Sequence, residues 1–240
     1  MRNRQFVTVT IGLVITIILA GALLGYALHL RNRDSQPPTP RPFGVPSNLS
    51  TSVVNLMSLS PIPHHLAPNF TFVDQLGHTI SLSGLRGKNV VLNFMDPHCK
   101  DICPIVSQEL IIANHELGAS AKNTVFLAIN VNQYNLTVAD VNTFSNEHRL
   151  NTIPTWHFLT GSYASLAKVW AEYGVQVLAP TATADVQHTS ATYFINTRGV
   201  EQYFAAPQVD HTTKGVSYLP GTDLLAWGKG IAQVVKDLHG

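Results

Sequence analysis

The sequence predicts an α/β fold in which helices cover both faces of a largely buried sheet. Three observations lead to this prediction. Two almost unbroken apolar runs, residues 89–94 and 125–130, have the composition of strands that are buried on both faces. A segment with apolar residues at helical spacing follows each run. The only cysteines of the 240 residues, Cys99 and Cys103, come soon after the first run, where sheets of this class usually carry their functional sites.

The composition indicates one sizeable domain with an appendage. The chain is 45% apolar and 12% charged, whereas about a quarter of the residues are charged in a typical soluble domain. The formal net charge of +1 gives no indication of a nucleic-acid partner or an acidic substrate. Because both thiols belong to one motif, the sequence predicts no disulfide framework.

An apolar block near the N-terminus accounts for part of the charge deficit. Residues 6–30 contain no Asp, Glu, Lys or Arg, and a helix of this length would be roughly 37 Å long, enough to cross a bilayer. Arginines flank the block on both sides, so the positive-inside comparison is nearly balanced. We predict that residues 1–33 form a single uncleaved anchor in the cell membrane, with the globular domain on the extracytoplasmic side. A signal peptide cleaved near residues 20–22 is the alternative.

Residues 34–66 are rich in proline among Ser, Thr and Asn. This composition favours extended polyproline conformations and buries no core. We therefore assign residues 34–66 to a linker and residues 67–240 to the globular domain. Residues 53–59 are a candidate for a first strand or a docking segment within that linker.

The globular domain is predicted to begin with a β-hairpin extension. Residues 69–73 alternate in polarity, Asp74–Gly77 are typical of a turn, and residues 78–81 form the return strand. A short helical turn then leads into the first buried strand, residues 89–94.

The remaining predicted elements alternate between strands and helices. They are a helix at 104–117, a strand at 125–130, a helix at 137–148, a strand at 155–159, a helix at 162–173, a hairpin at 191–204 and a helix at 222–238. Thr137 and Asp140 have the spacing of a capping box, and Gly118 suits a helix C-terminus. This order is that of a thioredoxin-like fold. Right-handed crossovers would place the cysteine loop at the carboxyl end of a central strand.

The cysteine loop combines two thiols with the start of a helix. The unpaired N–H groups and the positive end of the helix dipole favour thiolate over thiol there. Lys100 adds a positive charge, which Asp96 and Asp101 oppose. Cys99 and Cys103 are spaced to hold one soft metal ion or to exchange with disulfides. A disulfide that only closes the loop is a third reading, but so short a loop would stabilise the fold little.

Three motifs are typical of one known family. The first is His98-Cys-Lys-Asp-Ile-Cys-Pro104, a C-x-x-x-C-P sequence with an interior Asp. The second is Trp156-His-Phe-Leu-Thr-Gly161, and the third is His188-Thr-Ser-Ala-Thr-Tyr-Phe-Ile195. Through these motifs most of residues 68–240 resemble the SCO1/SenC family, the copper chaperones of cytochrome oxidase assembly, in which an N-terminal anchor and stalk are also common.

The resemblance implies a metal site and a function. It implies that Cys99, Cys103 and His188 bind copper, as Cu(I) or Cu(II). It also implies a membrane-anchored metallochaperone that delivers copper to a CuA-type site in a subunit of cytochrome c oxidase. The chain departs from the family pattern in two places. Asn130-Val-Asn-Gln-Tyr134 replaces an acidic segment, and Lys100 stands where proline is common.

Two other activities of the same fold are alternatives to copper delivery. A thiol-disulfide oxidoreductase would use Cys99 and Cys103 as catalytic residues to reduce cysteines of the target protein. Such reductases usually carry a cis-proline near the position of His188, and residues 185–191 contain no proline, which argues against a general reductase. A peroxidase is disfavoured because Met95-Asp-Pro-His98 lacks the context of a peroxidatic cysteine. Thiol exchange therefore remains as the alternative function.

Overall fold

The computed structural model describes residues 42–207 and 209–239 as strands, helices and connecting loops. In chain order the strands are β1 (Ser60–Leu66), β2 (Thr71–Val73), β3 (Thr79–Ser81), β4 (Asn89–Met95), β5 (Thr124–Asn130), β6 (Trp156–Leu159), β7 (Val177–Leu178), β8 (Gln187–His188), β9 (Thr192–Ile195), β10 (Val200–Ala205), β11 (Asp210–His211) and β12 (Ser217–Tyr218). The helices are α1 (Thr51–Leu56), α2 (Ile102–Leu117), α3 (Val138–Glu147), α4 (Tyr163–Glu172) and α5 (Gly221–Asp237).

A six-stranded mixed sheet has the order β1-β10-β9-β4-β5-β6. Strands β4, β5 and β6 run parallel, while β9 is antiparallel to β4, and β10 and β1 continue the antiparallel half. Three two-stranded ladders, β2-β3, β7-β8 and β11-β12, accompany this sheet. The predicted α/β fold and the predicted N-terminal hairpin, now β2-β3, are therefore confirmed.

Strand β4 is buried on both faces because its side chains enter two different cores. Val91 and Met95 pack into the core that contains residues of α1, α2, α3 and α5. Leu92 and Phe94 pack into the opposite core, which contains residues of α4 and of the β2-β3 region. The period of two expected for a strand thus separates one apolar run into two layers, as the unbroken run predicted.

The helix termini follow their capping residues. Thr137 and Asp140 form the predicted capping box at the start of α3, and the Ser162 hydroxyl accepts a hydrogen bond from the backbone N–H of Ser165 at the start of α4. Helix α2 ends at Gly118, whose φ of 56° suits glycine. The N-terminus of α2 differs from the prediction, since the helix begins at Ile102 and so includes Cys103 in its first turn.

The folded domain extends further toward the N-terminus than the predicted boundary at residue 67. Residues 51–56 form a helix rather than the suggested strand, and the Ser50 side chain caps it. Leu49, Met57 and Leu59 are almost fully buried in the core on the α2 and α5 side. The apolar residues of this segment are therefore part of the core, although the neighbouring proline-rich sequence predicted a linker.

Both edges of the central sheet have unusual partners. Strand β1 pairs with β10 and contains Pro61 and Pro63, which a strand tolerates where no ladder hydrogen bond is needed. At the other edge, the Gln75 side chain binds the backbone of β6. Its Nε2 donates to the Trp156 carbonyl at 3.1 Å, and its Oε1 accepts from the N–H of Phe158 at 2.8 Å.

The predicted membrane anchor, residues 1–33, lies outside the described residues. Among the residues that the structure does describe, no helix is long and apolar enough to span a bilayer. The anchor, the linker before residue 42 and the extracytoplasmic location remain predictions.

The burial of Met57 gives a test of the N-terminal segment. Met57 is 0% exposed, and a Cβ built at Gly230 of α5 would lie 2.4 Å from its sulfur. Met57→Ala should therefore lower the free energy of unfolding by about 2–5 kcal/mol, the usual range for truncating a buried methionine. Chemical denaturation of the purified protein measures the change. Phe43→Ala is the control, because Phe43 is 99% exposed, and equal losses in both variants would contradict the packing of this segment.

Candidate metal centre

A cavity of about 580 Å³ opens at the carboxyl end of β4. The cysteine loop forms one wall, and residues 185–191, around β8, form another. Cys99, Cys103 and His188 all line it. The structure thus brings the three residues predicted to bind metal to a single cavity, although His188 is far from the thiols in sequence.

The backbone after β4 positions the two thiols. The N–H of Cys99 donates to the carbonyl of Asp96 at 3.1 Å, which closes a tight turn after the strand. Cys103 follows in the first turn of α2, and its N–H donates to the sulfur of Cys99 at 3.3 Å. Cys103 is 3% exposed, whereas Cys99 is only partly buried and neither is in a disulfide. Cys99 is therefore the thiol that an incoming group reaches first.

The two thiols have opposite electrostatic environments. A hydrogen bond from the Cys103 side chain, helped by the backbone N–H groups of Asp101 and Cys103, lowers the pKa of Cys99 to about 7, against the opposing effect of burial. The same hydrogen bond, together with burial, raises the pKa of Cys103 well above its usual range. The pair therefore loses its first proton from Cys99, which is partly ionised near neutral pH, while Cys103 remains a thiol.

His188 presents a neutral imidazole. It lies in β8, where it pairs with Val177 of β7, and its Nδ1 is 3.0 Å from the carbonyl of Thr189. Since a carbonyl only accepts, Nδ1 carries the proton and Nε2 keeps its lone pair. Burial lowers the pKa of His188, which favours this neutral form. A thiolate sulfur and a neutral imidazole nitrogen are ligands that suit copper and zinc.

The three side chains share the cavity without forming a closed coordination site. Within residues 42–207 and 209–239, no group of three or more His, Cys, Asp or Glu residues is arranged closely enough to hold a metal ion. Binding by Cys99, Cys103 and His188 together would therefore require their side chains to move toward one another. The predicted ligand set stays a prediction.

A buried polar network that the sequence reasoning missed supports the cysteine loop. Asp96 is 5% exposed, and its Oδ1 accepts hydrogen bonds from the N–H of His98 and from Nδ2 of Asn132, both at 2.9 Å. Asn132 lies in the loop after β5, the parallel neighbour of β4. Polar residues soon after the carboxyl ends of two adjacent parallel strands are the sequence signal for this contact.

Cys99 also lines a second cavity of about 470 Å³. His98, Pro104 and Phe144 are among its lining residues, and Cys99 belongs to both cavities. His98 is exposed, and its Nε2 lies 3.4 Å from Oδ1 of Asp140 in α3. His98 does not line the cavity that holds Cys103 and His188.

Comparison with known proteins agrees with this architecture. The SCO1/SenC family model matches residues 60–214. A SCO1 protein homolog from Bacillus subtilis (strain 168) is 26% identical over 141 residues, which are 58% of this chain and 72% of that protein.

Solved structures of Sco proteins share the fold. Arabidopsis thaliana ScoI with copper bound has a TM-score of 0.56 and 22% identity, and the match covers 72% of this chain and 100% of that one. Bradyrhizobium japonicum ScoI with copper bound has a TM-score of 0.55 and 22% identity, over 72% and 99% of the two chains. The predicted α/β fold thus matches the thioredoxin-like fold of these proteins.

The hydrogen bond between the thiols predicts how the reactivity of Cys99 depends on pH. The alkylation rate of metal-free protein should follow the Cys99 thiolate and rise as the pH passes through about 7. Cys103→Ala should move this midpoint upward, because the variant lacks the side-chain donor to the thiolate. Cys103→Ser keeps a hydroxyl donor and should move it less. In both variants Cys99 is the only thiol of the chain, so the signal is unambiguous, and a wild-type midpoint near the ordinary thiol value of about 8.5 would contradict the assignment.

Proposed function

This chain belongs to the SCO1/SenC family, and on that premise we propose that it binds copper through Cys99, Cys103 and His188 and delivers it during assembly of cytochrome c oxidase. The observation that carries the proposal is that both thiols and the imidazole line one cavity at the carboxyl end of β4. Two relatives with the same fold are Sco proteins with copper bound. Soft thiolate ligands favour copper, and a site with three protein ligands leaves one side open for release.

The environments of the two thiols suggest the order of binding. Cys99 meets the ion first, because it is the more exposed thiol and its pKa of about 7 keeps much of it ionised. Cys103 binds second and must lose the proton that it shares with Cys99, so that loading releases a proton. His188 then contributes Nε2 without a further proton loss, since its imidazole is already neutral at that atom.

The recipient and the location complete the proposal. The recipient is the cytochrome c oxidase subunit that carries a CuA-type copper site. A structurally similar protein, BsSco, is described as a member of the Sco family of cytochrome c oxidase assembly proteins. Residues 1–33 would anchor the chain in the cell membrane with the domain on the extracytoplasmic side.

One observation favours thiol-disulfide exchange as a second candidate. The pair has an accessible thiol of lowered pKa and a buried thiol of raised pKa. Exchange needs an accessible thiolate to attack the target disulfide and a second thiol to complete the reaction. The Cys99 thiolate would attack a disulfide of the target and release one target thiolate. The Cys103 sulfur would then attack Cys99, releasing the second target thiol and leaving a Cys99–Cys103 disulfide. Two electrons pass from this chain to the target.

Removal of the imidazole tests the copper proposal. We expect reduced wild-type protein to bind about one copper ion per chain, and His188→Ala to weaken the affinity by at least about tenfold, or 1.4 kcal/mol. Competition with a chelator of known affinity measures the loss. His98→Ala is the matched control, since His98 neighbours Cys99 in sequence but lies outside the cavity of His188. Equal affinity in wild type and His188→Ala would rule out the three-ligand site.

His188→Ala also separates copper delivery from thiol exchange when it is compared with Cys99→Ser. Cys99→Ser should abolish reduction of a disulfide substrate by metal-free protein, because it removes the attacking thiolate. His188→Ala should leave the rate within about twofold, since no described hydrogen bond joins His188 to either thiol and exchange depends on the thiolate. In cells that lack the native chain, His188→Ala should fail to support oxidase activity. Full activity with His188→Ala would show that thiol exchange alone suffices.

A further inference from the structure

The metal cavity contains a buried carboxylate that the proposed ligand set does not use. Asp96 directly follows β4, is 5% exposed and lines the same cavity as Cys99, Cys103 and His188. Within the described part of the chain it makes no ion pair with Lys, Arg or His. A buried charge without a partner of opposite sign is costly to the fold. Asp96 therefore places a negative charge beside the thiols, and Lys100, which also lines the cavity, makes no ion pair with it.

Two hydrogen bonds fix the orientation of the carboxylate. Both go to Oδ1, from the N–H of His98 and from Nδ2 of Asn132. Asn132 is itself held, because its Oδ1 accepts from the N–H groups of Tyr134 and Asn135 at 2.9 and 3.0 Å. Oδ2 accepts no hydrogen bond from the described residues. Oδ1 thus stabilises the cysteine loop, and Oδ2 remains available to a ligand in the cavity.

The charge of Asp96 acts on every proposed ligand. It interacts electrostatically with Cys99, with Cys103 and with His188, and no other carboxylate of the described residues is close enough to act on all three. Asp101 and Asp185 also line the cavity, but both are exposed, so solvent screens their charges more strongly.

We propose that the Asp96 carboxylate shifts the relative affinity of the centre from Cu(I) toward Cu(II). This inference rests on the proposed function, copper binding by Cys99, Cys103 and His188. The two thiolates bring two negative charges, and Asp96 adds a third, which solvent screens little because the side chain is buried. Coulomb attraction to the carboxylate is twice as large for a doubly charged ion. A carboxylate oxygen also suits Cu(II) better than the soft Cu(I) ion, which prefers sulfur.

Asp96→Asn separates this charge from the structural role of the side chain. The amide keeps Oδ1 as acceptor for His98 and Asn132 and removes only the negative charge. A purely structural role would change both copper affinities together and leave the reduction potential of bound copper where it was. A charge role would change the two affinities differently and move that potential.

The experiment uses the full-length chain in mild detergent and compares wild type, Asp96→Asn and Asp101→Asn. Cu(I) and Cu(II) affinities are measured by competition with chelators specific for each ion, and the potential of bound copper is measured by redox titration. We expect Asp96→Asn to weaken Cu(II) binding about tenfold more than Cu(I) binding, which raises the potential by about 59 mV. Asp101→Asn, which removes an exposed charge from the same loop, should change the ratio of affinities less than about threefold.

Each outcome bears on a separate statement. If wild type binds no copper, the proposed function fails. If wild type binds copper and Asp96→Asn leaves the ratio of affinities unchanged, or Asp101→Asn shifts it equally, the assignment to Asp96 is overturned while the copper site stands. Asp96→Ser provides a second neutral variant whose hydroxyl still accepts from the N–H of His98, and thermal unfolding of each variant shows that the measured protein is folded.

Discussion

Strand β4 pairs in parallel with β5 on one side and antiparallel with β9 on the other, and its side chains from Val90 to Met95 are buried. The carboxyl end of the strand leads into the cysteine loop. There Asp96, the two thiols and the start of α2 follow within a few residues. Because β9 comes from a distant part of the sequence, its pairing with β4 also carries the preceding segment, with His188, to the same edge of the sheet.

The hydrogen bond between the thiols is relevant both to the proposed metal binding and to the proposed thiol exchange. It stabilises the thiolate of Cys99 at the expense of ionisation at Cys103. In both proposed functions the incoming group, a metal ion or a disulfide, would meet the exposed sulfur first and the buried sulfur second. The two proposals therefore start from one arrangement of thiols, and the imidazole of His188 would distinguish them, because only a metal ion would use its nitrogen.

Local patterns were sufficient for the elements with regular periodicity. The apolar run of β4, the capping box at Thr137 and the hairpin from β9 to β10 followed from neighbouring residues. The segment before residue 67 did not, since prolines dominate its composition while burial of Met57 depends on α5, far along the chain. His188 was proposed through the family motif, because spacing alone does not bring it to the thiols. The contact of Asp96 with Asn132 required knowing that β4 and β5 are adjacent.

The two edge strands of the six-stranded sheet, β1 and β6, are poorly suited to pair with a strand of a second molecule. A free strand edge offers unpaired N–H and carbonyl groups to a second molecule, which is a route to aggregation. Here the prolines of β1 lack the N–H donors that another strand would need, and the Gln75 amide already occupies the backbone of β6. A second molecule therefore finds neither edge of the six-stranded sheet open for extension, which protects the folded domain against edge-to-edge association.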